Sequence, residues 1–262
     1  MKILAIGSSR KNGNTEQIIT LMEQQLKQRA AREGTALDFE YLPLREYSIG
    51  TCRGCRACFN AGEEHCPLKD DLLAVEQKLR SADGIILGSP VYVEDVNGAL
   101  KNLIDRLAFH CHRPAFFGKA AVTFTTSGVG ASRHALSTMQ RALNTWGFYL
   151  CGEARFRMGA RMESGEAAQV HGKKAAAFAD RLYETVVKNK AAKPSFYQLI
   201  FFTVQQSYYR KPARYGNEYD HAYWRRNGWL EQGCDYYIKH RANPVKTALA
   251  RLTGQIVALF FV

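Results

Sequence analysis

Ser8, Ser9, Arg10, Asn12, Asn14 and Thr15 crowd into one short loop, Gly7-Ser8-Ser9-Arg10-Lys11-Asn12-Gly13-Asn14-Thr15. Hydroxyls, amides and one guanidinium at that density can surround an anion, and a helix that starts directly behind them adds unpaired backbone N–H groups. The chemistry suggested is recognition of a terminal phosphate. A plain strand-to-helix turn capped by Asn14 or Thr15 would need only one such side chain. No Gly-x-Gly-x-x-Gly is present, and Gly13 is followed by Asn-Thr instead of Lys-Ser/Thr, so dinucleotide and nucleoside triphosphate loops are set aside.

The second cluster is Cys52-Arg53-Gly54-Cys55-Arg56-Ala57-Cys58, completed by Cys66-Pro67. Three thiols at successive spacings of three and a fourth eight residues on can reach the corners of a [4Fe–4S] cluster. Free or redox-active thiols, or zinc, are the alternatives to that reading of Cys52, Cys55, Cys58 and Cys66. Arg53 and Arg56 would offset thiolate charge. Cys151 falls on a buried strand, Cys234 has no telling neighbour, and His110-Cys111-His112-Arg113 is too compact to close a metal site alone.

The elements that must carry these residues alternate. Lys2–Ile6 reads as a strand and Glu16–Arg32 as an amphipathic helix; Leu37–Leu42 is a second strand. After the cysteine insertion come a helix over Asp71–Leu79, a strand over Gly84–Gly88 and a helix over Gly98–Phe109. Strands near Ala120–Thr125 and Gly147–Cys151 and a long helix over Ala167–Val187 complete the body. Five strands separated by helices predict an α/β, doubly wound, five-stranded parallel sheet covered on both faces. Its ligand crevice lies beyond the carboxyl ends of the strands, so three loops should converge. They are Gly7–Thr15, the Ser89-Pro90-Val91-Tyr92-Val93-Glu94 stretch, and Thr125-Thr126-Ser127-Gly128-Val129-Gly130. A phosphate site with two further loops for a flat group describes a mononucleotide pocket, with Tyr92 able to lie against the ligand.

Three segments in order resemble the NAD(P)H-dependent FMN reductase group: Gly7-Ser8-Ser9-Arg10 with Gly13-Asn14-Thr15, Ala82–Tyr92, and Leu100-Lys101-Asn102-Leu103-Ile104-Asp105-Arg106. The resemblance covers roughly residues 1 to 187. It implies FMN, its phosphate on Ser8, Arg10, Asn12, Asn14 and Thr15, its ring along Pro90, Val91, Tyr92 and Val93, and Thr126, Ser127, Gly128, Val129 and Gly130 closing the other side. It further implies NAD(P)H as co-substrate, Tyr92 as the one near-flavin side chain with an accessory catalytic role, and Asp105 and Arg106 near the interface of a homodimer or homotetramer. The cysteine motif is similar to that of the iron–sulfur flavoproteins within the group.

Composition bounds the rest. The chain has 262 residues and a net charge of +12; its seven cysteines, with no leader-like segment and no long apolar span, together predict a cytoplasmic, reduced protein. A flavodoxin-like domain is expected over 1–188, carrying the insertion at 50–70, with an appended extension over 189–262 that packs on the body, a neighbouring subunit or a partner. The extension holds eleven Lys and Arg against four Asp and Glu, and residues 195–262 carry fifteen of the thirty aromatic residues. That is not disordered composition, and no nucleic-acid motif accompanies the charge. The final Leu249–Val262 stretch is too short to span a bilayer; subunit packing is its first reading and peripheral membrane contact its second. The function expected is an FMN-dependent oxidoreductase or electron-transfer flavoprotein that oxidises NAD(P)H or a reduced carrier. The alternatives are a cluster-free flavin or quinone reductase and a non-catalytic redox-sensing or carrier module.

Overall fold

The computed structural model describes residues 1–130, 132–190, 193–212 and 218–261. Strands β1 (Lys2–Gly7), β2 (Asp38–Pro43), β3 (Gly84–Tyr92), β5 (Ala120–Ser127) and β6 (Tyr149–Arg157) form a parallel sheet in the order β2-β1-β3-β5-β6. The short β4 (Asp95–Val96) pairs antiparallel with the end of β3.

Alternation along the strands builds two cores. Ile3, Ala5, Ile86, Val122 and Phe124 meet α1 (Asn14–Arg32) and α6 (Ser164–Val187) on one face. Leu4, Ile6, Ile85, Leu87 and Ala121 meet α3 (Leu72–Ser81), α4 (Gly98–Arg106) and α5 (Arg133–Trp146) on the other. Both faces of each central strand are therefore covered, which is why these runs are apolar throughout. The chain reverses its winding direction between β1 and β3, and the crevice opens there.

Several boundaries differ from the sequence reading, among them the end of β6, which runs on from Cys151 to Arg157. β3 runs four residues past Gly88, because Ser89 and Pro90 pair with Thr125 and Thr126 of β5, and Val91 and Tyr92 with Val96 and Asp95 of β4. Pro90, Val91 and Tyr92 are thus strand, and the turn is only Val93 and Glu94, both left-handed at φ 50° and 65°. The last strand begins at Tyr149, since Gly147, at φ 103°, closes α5 by donating to Asn144 and Leu143. Helix α4 stops at Arg106, and a 3-10 turn over Ala108–Cys111 follows.

The cysteine segment carries one short helix, α2 (Ala57–Asn60). Beyond α6, helices α7 (Phe196–Tyr209), α8 (Glu218–Arg226) and α9 (Pro244–Phe261) enclose a third core of Leu199, Phe202, Tyr209, Trp224, Trp229, Tyr236 and Tyr237. This core rests on the body through Phe117, whose ring stacks on Tyr237 at 4.1 Å. Gln198 Nε2 donates to the Phe148 carbonyl at 2.9 Å, and Trp224 Nε1 to that of His112 at 2.8 Å.

Candidate flavin and thiol sites

The loop between β1 and α1 is shaped by two residues without functional side-chain contacts. Gly13 stands at the N-cap, where it provides no side-chain cap for the first-turn N–H groups of α1. A Cβ there would sit 3.0 Å from the Arg10 carbonyl oxygen, so the loop curls back on itself too closely for a larger residue. Asn12 adopts φ 53° and gives its backbone N–H to Glu16 Oε2 at 2.7 Å. The α1 terminus is consequently open and aimed into a cleft.

That cleft, of about 200 Å³, is lined by Ser9, Arg10, Gly13, Asn14, Thr15, Pro90, Val91, Tyr92, Thr126, Ser127, Gly128, Gly159 and Ala160. The three loops expected to converge do so. Thr15 Oγ1 lies 2.8 Å from Thr126 Oγ1 with both residues buried, which ties the first loop to the third. The Asn14 amide donates to the Met158 and Gly159 carbonyls at 3.4 Å and accepts from the Met162 N–H at 3.1 Å, so it fixes the loop after β6.

Other expected residues stand elsewhere. Ser8 is buried: its hydroxyl donates to Ser89 Oγ at 3.2 Å and its carbonyl accepts from Asn97 Nδ2, so it joins β1 to β3 and is not among the residues that line the cleft. Asn12 is exposed on the turn, outside the cleft. Val93 is 99% exposed and Val129 94% exposed, beyond the rim that Tyr92 forms. Gly130 turns into an adjoining space. Sequence reasoning left out Ser9, Gly13, Gly159 and Ala160 as lining residues. Ser9 and Gly13 lay within the loop already singled out, and a glycine just after a strand could have marked Gly159.

Beside the cleft the surface is basic. One cavity of about 360 Å³ is lined by Gly130, Ser132, Arg155, Arg157, His171 and Lys174. Another of about 430 Å³ shares Gly130, Ser132 and Arg155 and adds Arg133, His134, Ser137 and one acidic residue, Glu94. Burial, helped by the neighbouring Arg155 charge, pushes the Lys174 ammonium below its usual range. His171 and Lys174 hold the Arg157 and Arg155 carbonyls at 2.8 and 2.6 Å, which fixes the β6 backbone that carries the guanidinium groups.

The cysteine segment is pinned by two buried arginines. Arg106 donates to the Gly50 carbonyl at 2.7 Å, pairs with Asp70 at 2.6 Å and reaches Cys66 Sγ at 3.7 Å. It points inward and is 4% exposed, so its contacts within this chain are internal ones. Asp105 is exposed and pairs with Lys101. Arg113 donates to the Cys58 carbonyl and to Glu63, each at 2.8 Å. Burial pushes the Cys58 thiol up, against the pull of Arg113, and Cys66 and Cys52 are near enough to push it further. Cys52, Cys58 and Cys66 therefore share one electrostatic neighbourhood, while Cys52 and Cys55 are exposed. Thiols flanked by guanidinium N–H donors fit an iron–sulfur group in chemistry. Among the described residues, no three of His, Cys, Asp and Glu converge on a point that would hold a metal ion. His110 and His112 are engaged structurally, His110 Nε2 lying 3.1 Å from Glu76 Oε1 and His112 Nδ1 2.7 Å from Asp220 Oδ2.

A doubly wound parallel sheet in the order β2-β1-β3-β5-β6, with an open helix terminus at its switch point, defines a flavodoxin-like α/β protein. The chain belongs to the NADPH-dependent FMN reductase family, whose model matches residues 1–160. It is 28% identical over 234 residues to an iron-sulfur flavoprotein of Archaeoglobus fulgidus, covering 88% of this chain and 100% of that one. It is 40% identical over 107 residues to an iron-sulfur flavoprotein of Methanocaldococcus jannaschii, covering 40% of this chain and 51%, about half, of the relative. Among solved structures, a flavone reductase superposes with a TM-score of 0.55 at 15% identity, covering 72% of this chain and 63% of its own. RosB with bound 8-demethyl-8-formylriboflavin-5'-phosphate superposes with a TM-score of 0.55 at 14% identity, covering 72% and 80%. At such identities these two structures establish the fold alone.

Proposed function

We propose that this chain is an FMN-dependent oxidoreductase that draws electrons from NAD(P)H or a reduced carrier, with Cys52, Cys55, Cys58 and Cys66 as ligands of a [4Fe–4S] cluster. The observation that carries the flavin half is the uncapped α1 terminus facing a cleft walled by the loop after β1 and the carboxyl ends of β3 and β5. The phosphate of FMN would rest on the first-turn N–H groups with Ser9 and Arg10; the ring would lie along Pro90, Val91 and Tyr92, with Thr126, Ser127 and Gly128 opposite. FMN supplies hydride uptake and stepwise electron release. The chain's own residues bind and orient it: Thr15 and Thr126 lock the two walls together, Asn14 holds the loop bearing Gly159, and Tyr92 shields the rim.

The basic wall of Arg155, Arg157 and Lys174 beside Gly130 supports a polyanionic donor that reaches the cleft from that side. The cluster half is supported by the thiol neighbourhood with its two arginines and by the relatives' names. A cluster-free reductase with a thiol-rich loop is the second reading, favoured by the exposure of Cys52 and Cys55.

Two measurements test these readings. Titration of the flavin-stripped protein with FMN should show tight binding that Arg10→Ala weakens about tenfold, the loss of one charge-assisted contact; unchanged binding would remove Arg10 from the phosphate site, and no FMN binding by the unaltered protein would remove the α1 terminus. Iron and acid-labile sulfide analysis on anaerobically purified protein should give about four irons per chain. Flavin without iron would leave the thiol-loop reductase.

A further inference from the structure

Helix α9 is built inside out. Its buried side is Ala250, Gly254 and Ala258, small residues at intervals of four, and they lie against α7 so closely that a Cβ on Gly254 would come within 2.6 Å of Thr203 Cβ. Its outward side carries the large apolar groups. Val245, Leu249, Leu252, Ile256, Leu259 and Phe260 are between 50% and 84% exposed, and their spacing of four, three, four and three gathers them into one stripe. The stripe runs about 22 Å along the helix at 1.5 Å per residue. On α7, Tyr197 is half-exposed and stacks on Phe201 at 6.1 Å. So much aliphatic and aromatic surface in one place marks a contact site.

Charge decides among occupants. Residues 193–212 and 236–261 contain seven Lys and Arg and no Asp or Glu. Lys246, Arg241 and Arg210 are held by the backbone carbonyls of Pro194, Asn189 and Leu230, which orients these cations without neutralising them. A second copy of this chain would set Lys246 and Arg251 of one α9 against those of the other with no carboxylate to answer them. An apolar stripe with a predominantly cationic rim, in which the nearest carboxylate in sequence, Asp235, is paired with His240, and with Tyr197 on the neighbouring α7, complements an anionic lipid surface. No helix among the described residues is long and apolar enough to cross a membrane, so the fitting geometry is a helix lying flat with its stripe in the headgroup boundary. We infer that the α7–α9 pair is a peripheral docking surface for anionic phospholipid membranes. This reading is independent of the redox chemistry proposed above.

The test is co-sedimentation of the full chain with vesicles of phosphatidylcholine alone and of phosphatidylcholine mixed with phosphatidylglycerol, beside light-scattering measurement of its mass in solution. Binding to the anionic vesicles only, weakened by salt, is expected. Leu252→Glu and Leu259→Glu, at exposed positions, should each reduce that binding at least about tenfold, the loss of one inserted leucine, while leaving the circular dichroism and thermal midpoint unchanged. Lys246→Gln with Arg251→Gln should weaken it about tenfold together, at roughly 1 kcal/mol for each cation near the surface. Equal binding to both vesicle types, binding retained by both Leu variants, or no vesicle binding at all would overturn the inference. So would a dimer that the Leu variants dissolve, because the second copy would then be the occupant.

Discussion

Ser8 and Ser9 are adjacent hydroxyls with opposite assignments, and what separates them lies some eighty residues away. Ser8 is claimed by Ser89 and Asn97, while Ser9 faces the cleft. The sequence made the loop's chemistry legible but not which side chain looks inward, since that depends on a partner strand's register. The same holds for the thiols. Cys58, half-buried with its proton held more firmly by burial, should react with iodoacetamide on the order of tenfold more slowly than exposed Cys52 and Cys55 in iron-free protein; mass spectrometry of a timed alkylation checks this order. At the basic wall, Arg155→Ala and Arg157→Ala should each raise KM for NADPH several-fold, by roughly one surface charge contact, with less effect on NADH. Steady-state kinetics with both donors decides it, and equal effects would assign these arginines no part in reading the additional phosphate.

Among the elements, the strands and helices of the body could be read directly from apolar periodicity, with errors only where a local rule was outvoted. β3 continues through Pro90 because β5 and β4 supply pairing that no local pattern announces. Within the site, Thr15→Val should cost about 1–2 kcal/mol by leaving the buried Thr126 hydroxyl without its partner, seen as a lower urea midpoint. The cysteine segment hangs on Arg106 and Asp70. Burial raises the Asp70 carboxyl, but the Arg106 guanidinium and the N–H groups of Gly50 and Leu72 outweigh it and hold the carboxyl below its usual range. A carboxyl lowered in the folded state adds stability that is complete above its unfolded pKa of about 4 and is lost as pH falls through the folded value. The stability advantage of the wild type over Asp70→Asn should therefore be present at neutral pH and shrink in acid, which denaturation at both pH values measures. Arg106→Ala should cost about 3–5 kcal/mol, since Asp70 loses its charge partner in a largely buried site.

For the molecule as a whole, composition required the aromatic extension to pack somewhere but could not say where. The answer is Arg113, a residue that sequence reasoning passed over inside His110-Cys111-His112-Arg113. It is 3% exposed, and it joins Asp220 of the extension, Glu63 and the Cys58 carbonyl of the cysteine segment, and the body in one junction. Arg113→Leu should cost about 3–5 kcal/mol by leaving the buried Asp220 carboxylate with His112 but no guanidinium, and Arg113→Leu combined with Asp220→Leu should recover part of that loss. A double-mutant cycle of urea unfolding reads the coupling. The junction also has an order in time. Asp220 leaves the ribosome 107 residues after Arg113, which at synthesis rates of about 5–20 residues per second is an interval of about 5 to 20 seconds. Throughout it Arg113 can already hold the Cys58 carbonyl and Glu63 but lacks its partner in the extension, so the junction is completed only after the body and the cysteine segment have been made.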